Sequence, residues 1–178
     1  KSLAKLHKHT SEKFGLDHGN YIGSLPQGNR KYDTWDEFFI MERLEPQIKM
    51  AVDFKRIHSS THRRFEKLFS KVKQIFPKEA PSLLHGDLWS GNYLIGSNGE
   101  PCIMDPAVYY GHREMDISMT KLFGGFSSEF YEAYIDDFPL EKGWQERVDI
   151  CNLYPLIVHI NLFGGSYAMQ VEDILRSF

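Results

Sequence analysis

The chain has 178 residues, of which 42% are hydrophobic and 25% charged, with 21 Lys+Arg against 24 Asp+Glu. That composition supports one folded domain with a core and excludes disorder as the main state. The formal charge of -3 and a pI near 6.3 give no broad electrostatic affinity for polyanions, so no nucleic-acid or membrane partner is expected.

The chain opens at Lys1 inside a helical pattern (Leu3, Ala4, Leu6), so residues 1–9 read as the end of a helix and the whole as a fragment with sequence missing upstream. Residues 15–33, punctuated by Gly15, Gly19, Gly23, Pro26, Gly28 and Asn29, read as one long loop, longer than an ordinary connection and therefore a functional candidate. Residues 34–57 read as a helix with Trp35, Phe38, Phe39, Leu44, Ile48, Ala51 and Val52 inward, Asp33 or Thr34 as cap, and a kink near Leu44 caused by Pro46. Residues 60–76 form a second amphipathic helix carrying Phe65, Leu68, Phe69, Val72, Ile75 and Phe76, with a basic face towards solvent.

The texture then changes. Ser82–His85, Tyr93–Ile95 and Cys102–Met104 are short apolar runs, and Ser97-Asn98-Gly99-Glu100 reads as a hairpin turn between the last two. Helical patterning returns over 114–123, 127–137, 143–163 and 166–176. The expected fold class is mainly α with a small β element in the middle. The most apolar stretch, Leu153 to Phe163, is broken by Pro155, His159 and Asn161 and falls short of the roughly 18 residues of a membrane span. Two cysteines, Cys102 and Cys151, are too few for a disulfide framework and point to a reduced, cytoplasmic setting.

The β element holds the chemistry. His85-Gly86-Asp87-Leu88-Trp89-Ser90-Gly91-Asn92 places an Asp and an Asn five residues apart between two short strands. Ile103-Met104-Asp105-Pro106 adds an acid at the end of the next strand. Phosphoryl transfer from a nucleotide needs a group to orient the attacking hydroxyl and hard oxygen ligands for the divalent ions that bridge the phosphates. Asp87 suits the first task, Asn92 and Asp105 the second. Asn at 92 supplies a neutral oxygen where a third carboxylate would repel the other two. The implied cofactors are ATP and Mg²⁺.

This H-G-D-x-x-x-x-N and I-M-D-P pair resembles the catalytic and metal-binding loops of the aminoglycoside phosphotransferase group of kinase-like enzymes. H-G-D-L-W-S-G-N-Y-L, D-P-A-V-Y-Y-G-H-R-E-M-D, F-G-L-D-H-G-N-Y-I-G-S-L-P-Q and W-D-E-F-F-I-M-E-R-L-E-P-Q resemble the fructosamine (ketosamine-3-) kinase family, from residue 1 to about 167. The resemblance implies that Asp87 is the catalytic acid-base residue and that Asn92 and Asp105 are metal ligands. It implies that Leu94 and Met104 form the floor under the adenine, although plain strand core is equally compatible. Asp116 matches an acid that holds the catalytic-loop backbone; the alternative is an exposed acid favoured by a helix N-terminus. Trp89 is the specificity candidate, stacking on the sugar or its amine-bearing group, or else packing the loop. Asp17, His18 and Asn20 are candidates for sugar hydroxyls, where turn chemistry is the other explanation. His112, Arg113 and Glu114 either face the substrate or form a local ion cluster.

His58 and His62 stand four apart but lack the H-E-x-x-H glutamate and a third ligand, so they are read as surface residues. Gly15, Gly19 and Gly23 do not spell a phosphate-binding loop. No segment shows the Gly-rich loop and strand lysine of a smaller kinase lobe. The expectation is therefore the C-terminal, large lobe of a kinase-like fold spanning 1–178, weak in ATP binding and turnover by itself. Its expected substrate is a ketosamine, free or on a protein, phosphorylated at the 3-hydroxyl. An aminoglycoside- or choline-type kinase and a non-catalytic kinase-like binding lobe remain alternatives.

Overall fold

The computed structural model describes residues 1–178. Helix α1 (Ser2–His7) leads into an antiparallel hairpin of β1 (Asn20–Ile22) and β2 (Leu25–Gln27). This corrects the sequence expectation of a structureless loop over 15–33. The ladder is only three residues long, and Pro26 lies within it, so neither strand leaves a periodic signal.

Thr34 caps α2 (Trp35–Phe38) by accepting a hydrogen bond from the Glu37 amide at 3.4 Å. The chain continues without a break through a π-helical segment (Phe39–Leu44) into α3 (Glu45–Asp53). Pro46 sits in the first turn of α3. It has no N–H to offer the carbonyl four residues back, and its ring crowds that carbonyl. The preceding turn widens to π spacing in place of the expected kink, and this brings Glu42, Arg43 and Leu44 inside together. Helix α4 (Ser59–Ile75) buries Phe65, Leu68 and Val72. His58 caps it, its ring nitrogen accepting from the Ser60 amide, while His62 faces Glu45.

Next come β3 (Ser82–Leu84), a single 3₁₀ turn (Ser90–Asn92), β4 (Tyr93–Ile95), β5 (Pro101–Ile103) and β6 (Tyr109–Gly111). Strand β6 was not apparent from the sequence; its partner β3 lies far upstream, with no turn joining the two. The pairing is nested. β4 and β5 form a hairpin with Tyr93 opposite Ile103, and this hairpin is inserted between β3 and β6, which pair with Leu84 opposite Tyr109. Nesting forces the two connections, 85–92 and 104–108, to run side by side.

Four helices complete the fold: α5 (Glu114–Leu122), α6 (Ser128–Asp137), α7 (Trp144–Phe163) and α8 (Tyr167–Leu175). α7 is apolar around most of its circumference, and Ile150, Leu153, Leu156, Ile157 and Ile160 are buried. It is therefore the central element, packed by α3, α5 and α8. Gly164 ends it at φ 67 and ψ -143, a backbone that glycine adopts without a Cβ penalty. No helix is long and apolar enough to cross a membrane.

Candidate active site

The loop after β3 is fixed from below by Asp116, in the first turn of α5. Its carboxylate accepts hydrogen bonds from the backbone N–H of His85 at 2.7 Å and of Gly86 at 2.9 Å. The carboxylate also meets His7 Nε2 at 3.1 Å, and His7 Nδ1 lies 2.7 Å from the Tyr134 hydroxyl. Asp116 is 1% exposed. Burial alone would raise its pKa, but the His7 hydrogen bond and charge, the His85 charge and the Gly86 N–H outweigh this and leave it below the ordinary carboxylate range.

Gly86 adopts φ +82, and a Cβ there would collide with the carbonyl oxygen of Ala107. That close approach brings the two connections into contact. Ala107 N–H donates to His85 O at 2.8 Å, and His85 Nε2 meets Met104 O at 2.9 Å. The Asp87 amide in turn approaches His85 Nδ1 at 3.3 Å.

Asp87 is half-buried. Burial pushes its carboxyl above the usual range; the charge of His85, the Asn92 amide and the charge of His159 pull in the opposite direction. Asn92 donates from Nδ2 to both Asp87 O at 2.9 Å and Asp87 Oδ2 at 3.0 Å. Its side-chain oxygen, held by that clamp, takes no hydrogen bond from the protein. Across the hairpin, Met104 N–H donates to Asn92 O at 3.0 Å. Asp105 follows at once, exposed and in a left-handed conformation (φ 52) that is rare for a residue other than glycine. The Met104–Asn92 backbone bond thus brings the stretch carrying Asp105 alongside the loop of Asp87 and Asn92. An oxygen-only donor pair, the Asn92 amide and the Asp105 carboxylate, suits Mg²⁺, which takes few protein ligands.

Leu94 and Met104, 43% and 42% exposed, belong to an uncovered apolar ledge with Tyr93, Ile95 and Ile103. A cleft of about 690 Å³ adjoins it, lined by Leu3, Leu6, Tyr93, Ile103, Phe126 and Phe130 among others. Trp89 is 36% exposed; its indole lies over Gly91 and meets Phe123 edge-on at 6.0 Å.

Other sequence candidates lie elsewhere. His112, Arg113 and Glu114 are buried and do not face the cleft, which overturns the substrate-facing alternative and fits the other one, a local ion cluster. They are 1%, 3% and 1% exposed. Arg113 clamps Glu79 through two hydrogen bonds of 2.8 and 2.7 Å, and Arg147 clamps Glu114 at 2.7 and 2.6 Å. Charges at such depth persist because each finds a partner of opposite sign. Asp17 is exposed and paired with Lys31 at 2.5 Å, and His18 is exposed too.

Asn20 is half-buried and turned towards the protein. It donates to Val108 O at 2.7 Å and accepts from Gln27 at 2.8 Å and Asn29 at 2.9 Å. Gln27 also donates to Ala107 O and accepts from the Tyr154 hydroxyl at 2.6 Å. Asn29 accepts from Arg43 at 2.6 Å. Arg43 is fully buried beneath the Tyr109 ring at 3.9 Å and the Phe38 ring at 4.5 Å. This network, missed at the sequence level, ties the hairpin β1–β2 and the π-helical segment to the stretch that follows Asp105.

Comparison with known proteins places this geometry in context. Residues 1–178 match the family model described as fructosamine kinase. A protein of Enterococcus faecium, a candidate ketoamine kinase by its name, is 46% identical over 99% of this chain and 65% of its own length. The chloroplastic protein-ribulosamine 3-kinase of Arabidopsis thaliana is 39% identical over 100% of this chain and 55% of its own. A crystallised protein of Thermobifida fusca, a candidate fructosamine-3-kinase by its name, superimposes with a TM-score of 0.93 at 36% identity, covering 98% of this chain and 61% of that one. The chain therefore spans less than two thirds of the length of these relatives.

Proposed function

Because the chain belongs to the fructosamine kinase family, we propose that it forms the C-terminal lobe of an ATP-dependent phosphotransferase acting on the 3-hydroxyl of a ketosamine. The observation that carries this reading is the Asn92 side chain, whose N–H groups hold Asp87 while its oxygen is left without a protein donor. One residue thereby orients the base and offers a metal ligand. In this reading the Asp87 carboxylate accepts the hydroxyl proton and aims the oxygen at the terminal phosphate. Asn92 and Asp105 hold Mg²⁺, which neutralises charge on the phosphates when bound. Asp116 keeps the loop at the right height, and Leu94 and Met104 take the adenine face.

Relatives are longer than this chain, and the uncovered ledge of β4 and β5 is where a second, nucleotide-covering lobe would seat. By itself the 178-residue lobe binds ATP weakly, since most phosphoryl-transfer catalysis is positioning and electrostatics. The cytoplasm, where an exposed Cys102 stays reduced, is the proposed setting.

The test is mass spectrometry of a panel of fructosamines after incubation of the full-length enzyme with ATP and Mg²⁺. A gain of one phosphoryl group is expected, with turnover reduced roughly 10²- to 10⁴-fold by Asp87→Ala. Phosphorylation of aminoglycosides or choline alone would reassign the acceptor. Absence of transfer to any alcohol would leave a binding lobe.

A further inference from the structure

The stretch that carries Asp105 is held from two sides. On one side the catalytic loop fixes it through backbone bonds: Met104 N–H donates to Asn92 O at 3.0 Å and Ala107 N–H to His85 O at 2.8 Å. On the other side stand two side chains of the β1–β2 hairpin, 80 and 88 positions upstream. Gln27 Nε2 donates to Ala107 O at 3.1 Å, and Asn20 Nδ2 to Val108 O at 2.7 Å. Asn20 and Gln27 are directly opposite in the β1–β2 ladder, so a single rung serves two consecutive carbonyls. Both carbonyls lie ahead of the β3–β6 ladder, which begins at Tyr109, so no strand partner takes them.

These amides have one polarity, and it is set from below. Arg43 is fully buried and can only donate. It donates to Asn29 Oδ1 at 2.6 Å, which turns Asn29 Nδ2 towards Asn20 Oδ1, 2.9 Å away. Gln27 Nε2 gives Asn20 Oδ1 a second donor at 2.8 Å, so Asn20 Nδ2 is the end left for Val108 O. The Tyr154 hydroxyl donates to Gln27 Oε1 at 2.6 Å and orients that amide as well. An amide flipped anywhere along this chain would set like against like. Asp105, in contrast, is exposed and holds a left-handed backbone (φ 52). A residue other than glycine keeps such a conformation only where its surroundings impose it.

We propose that Gln27 and Asn20, ordered by Arg43 and Asn29, are positioning residues that hold Asp105 where it shares a divalent cation with Asn92. This rests on the kinase reading and deepens it. The hairpin then belongs to the metal site although none of its side chains touches the metal. The two ligands have separate anchors: Asn92 is clamped to Asp87, whereas Asp105 depends on the hairpin. Releasing the hairpin therefore weakens metal binding and leaves the base in place.

The experiment titrates the full-length enzyme, loaded with ADP, with Mn²⁺ and reads free Mn²⁺ from its electron paramagnetic resonance signal. Wild type is compared with three variants. Gln27→Met keeps the length of the side chain without its donors, and Asn20→Ala removes the bond to Val108. Phe65→Leu loosens the buried core at α4, on another element. The Mn²⁺ dissociation constant is expected to rise about 10-fold or more in both hairpin variants, as for residues that orient a metal ligand, and to keep its wild-type value in Phe65→Leu. The apparent KM for Mg²⁺ in turnover should rise in parallel, with the KM for the ketosamine little changed. Should Gln27→Met fail to fold, Asn20→Ala, at a half-buried position, decides by itself. Weaker Mn²⁺ binding in the hairpin variants of an enzyme that transfers no phosphoryl group would keep the positioning role and overturn the kinase. Phosphoryl transfer with a Mn²⁺ constant indifferent to both substitutions would overturn the positioning role and keep the kinase. An equal rise in Phe65→Leu would also overturn it, because general loosening of the fold would then suffice.

Discussion

Replacing Asp116 tests how much of the site depends on one carboxylate. Its two oxygens receive the His85 and Gly86 amides at 2.7 and 2.9 Å and meet His7 at 3.1 Å, with His7, His85 and Asp116 buried and Gly86 partly so. Asp116→Ala leaves two backbone N–H groups and a ring nitrogen without partners. A buried polar group that loses its partner costs about 1 to 3 kcal/mol, and water entering the vacated volume recovers part of that. We expect a loss of about 3 to 5 kcal/mol, a large share of a typical domain's stability. Asp116→Asn is milder. Its carbonyl still serves Gly86, and His7 can accept from the new amide by exchanging its proton to Nδ1, facing Tyr134. Only the His85 N–H then meets a donor, for about 1.5 to 3 kcal/mol. Urea unfolding followed by far-ultraviolet circular dichroism measures both, and the corresponding drop in Tm is roughly 6 to 20 °C for Ala. A loss below about 1 kcal/mol for Ala, or Asn as damaging as Ala, would refute the reasoning from orphaned donors.

Acid should also unfold the wild type through this residue. Its folded pKa lies below the unfolded value of about 3.9, so its stabilisation is complete above that pH and is lost as pH falls towards the folded pKa. Glu79 behaves alike, because burial raises its pKa but the Arg113 hydrogen bond lowers it further. Melts at stepped pH should therefore drop steeply below about pH 4, and Asp116→Asn should flatten that slope; an unchanged slope contradicts the linkage. Arg43→Lys should destabilise by about 2 to 4 kcal/mol despite keeping the charge, because a lysine cannot reach Gly28 O and Asn29 Oδ1 together while stacking on Tyr109. Thermal melts giving Lys equal to Arg would remove the guanidinium fork from the explanation. Gly86→Ala should cost more than about 2 kcal/mol, from its left-handed backbone and the Ala107 carbonyl, and a wild-type melt would disprove the close approach.

Much of the helical frame was legible in the sequence. Periodic apolar positions marked α4 to within a residue, and the helical texture of 143–163 marked α7. The segment 85–92 and Asp105 were legible as well, because a run of special residues between short apolar stretches leaves few structural alternatives. Long-range partners were not legible. Tyr109–Gly111 pairs with a strand some 27 positions away (Ser82 with Gly111 is the outermost pair), and nothing local announces it. The choice between a substrate-facing and an ion-pairing role for Arg113 and Glu114 was likewise open in the sequence, because their neutralising partners, Glu79 and Arg147, are 34 and 33 positions distant. Asn20 carries turn chemistry in its letters, yet its amide turns inward to Val108.

The nested strand pairing has an engineering consequence. Register in the inner ladder is set by Tyr93 opposite Ile103 and sealed by the Met104–Asn92 backbone bond, both on the near side of the exposed tip at Ser97–Gly99. Chain length at that tip is decoupled from the spacing of the two loops below it. Extending a flexible tip costs only about 0.6 kcal/mol per doubling. A reporter peptide grafted between Asn98 and Gly99 would ride at the rim, moving with the hairpin while Asp87 and Asp105 keep their places.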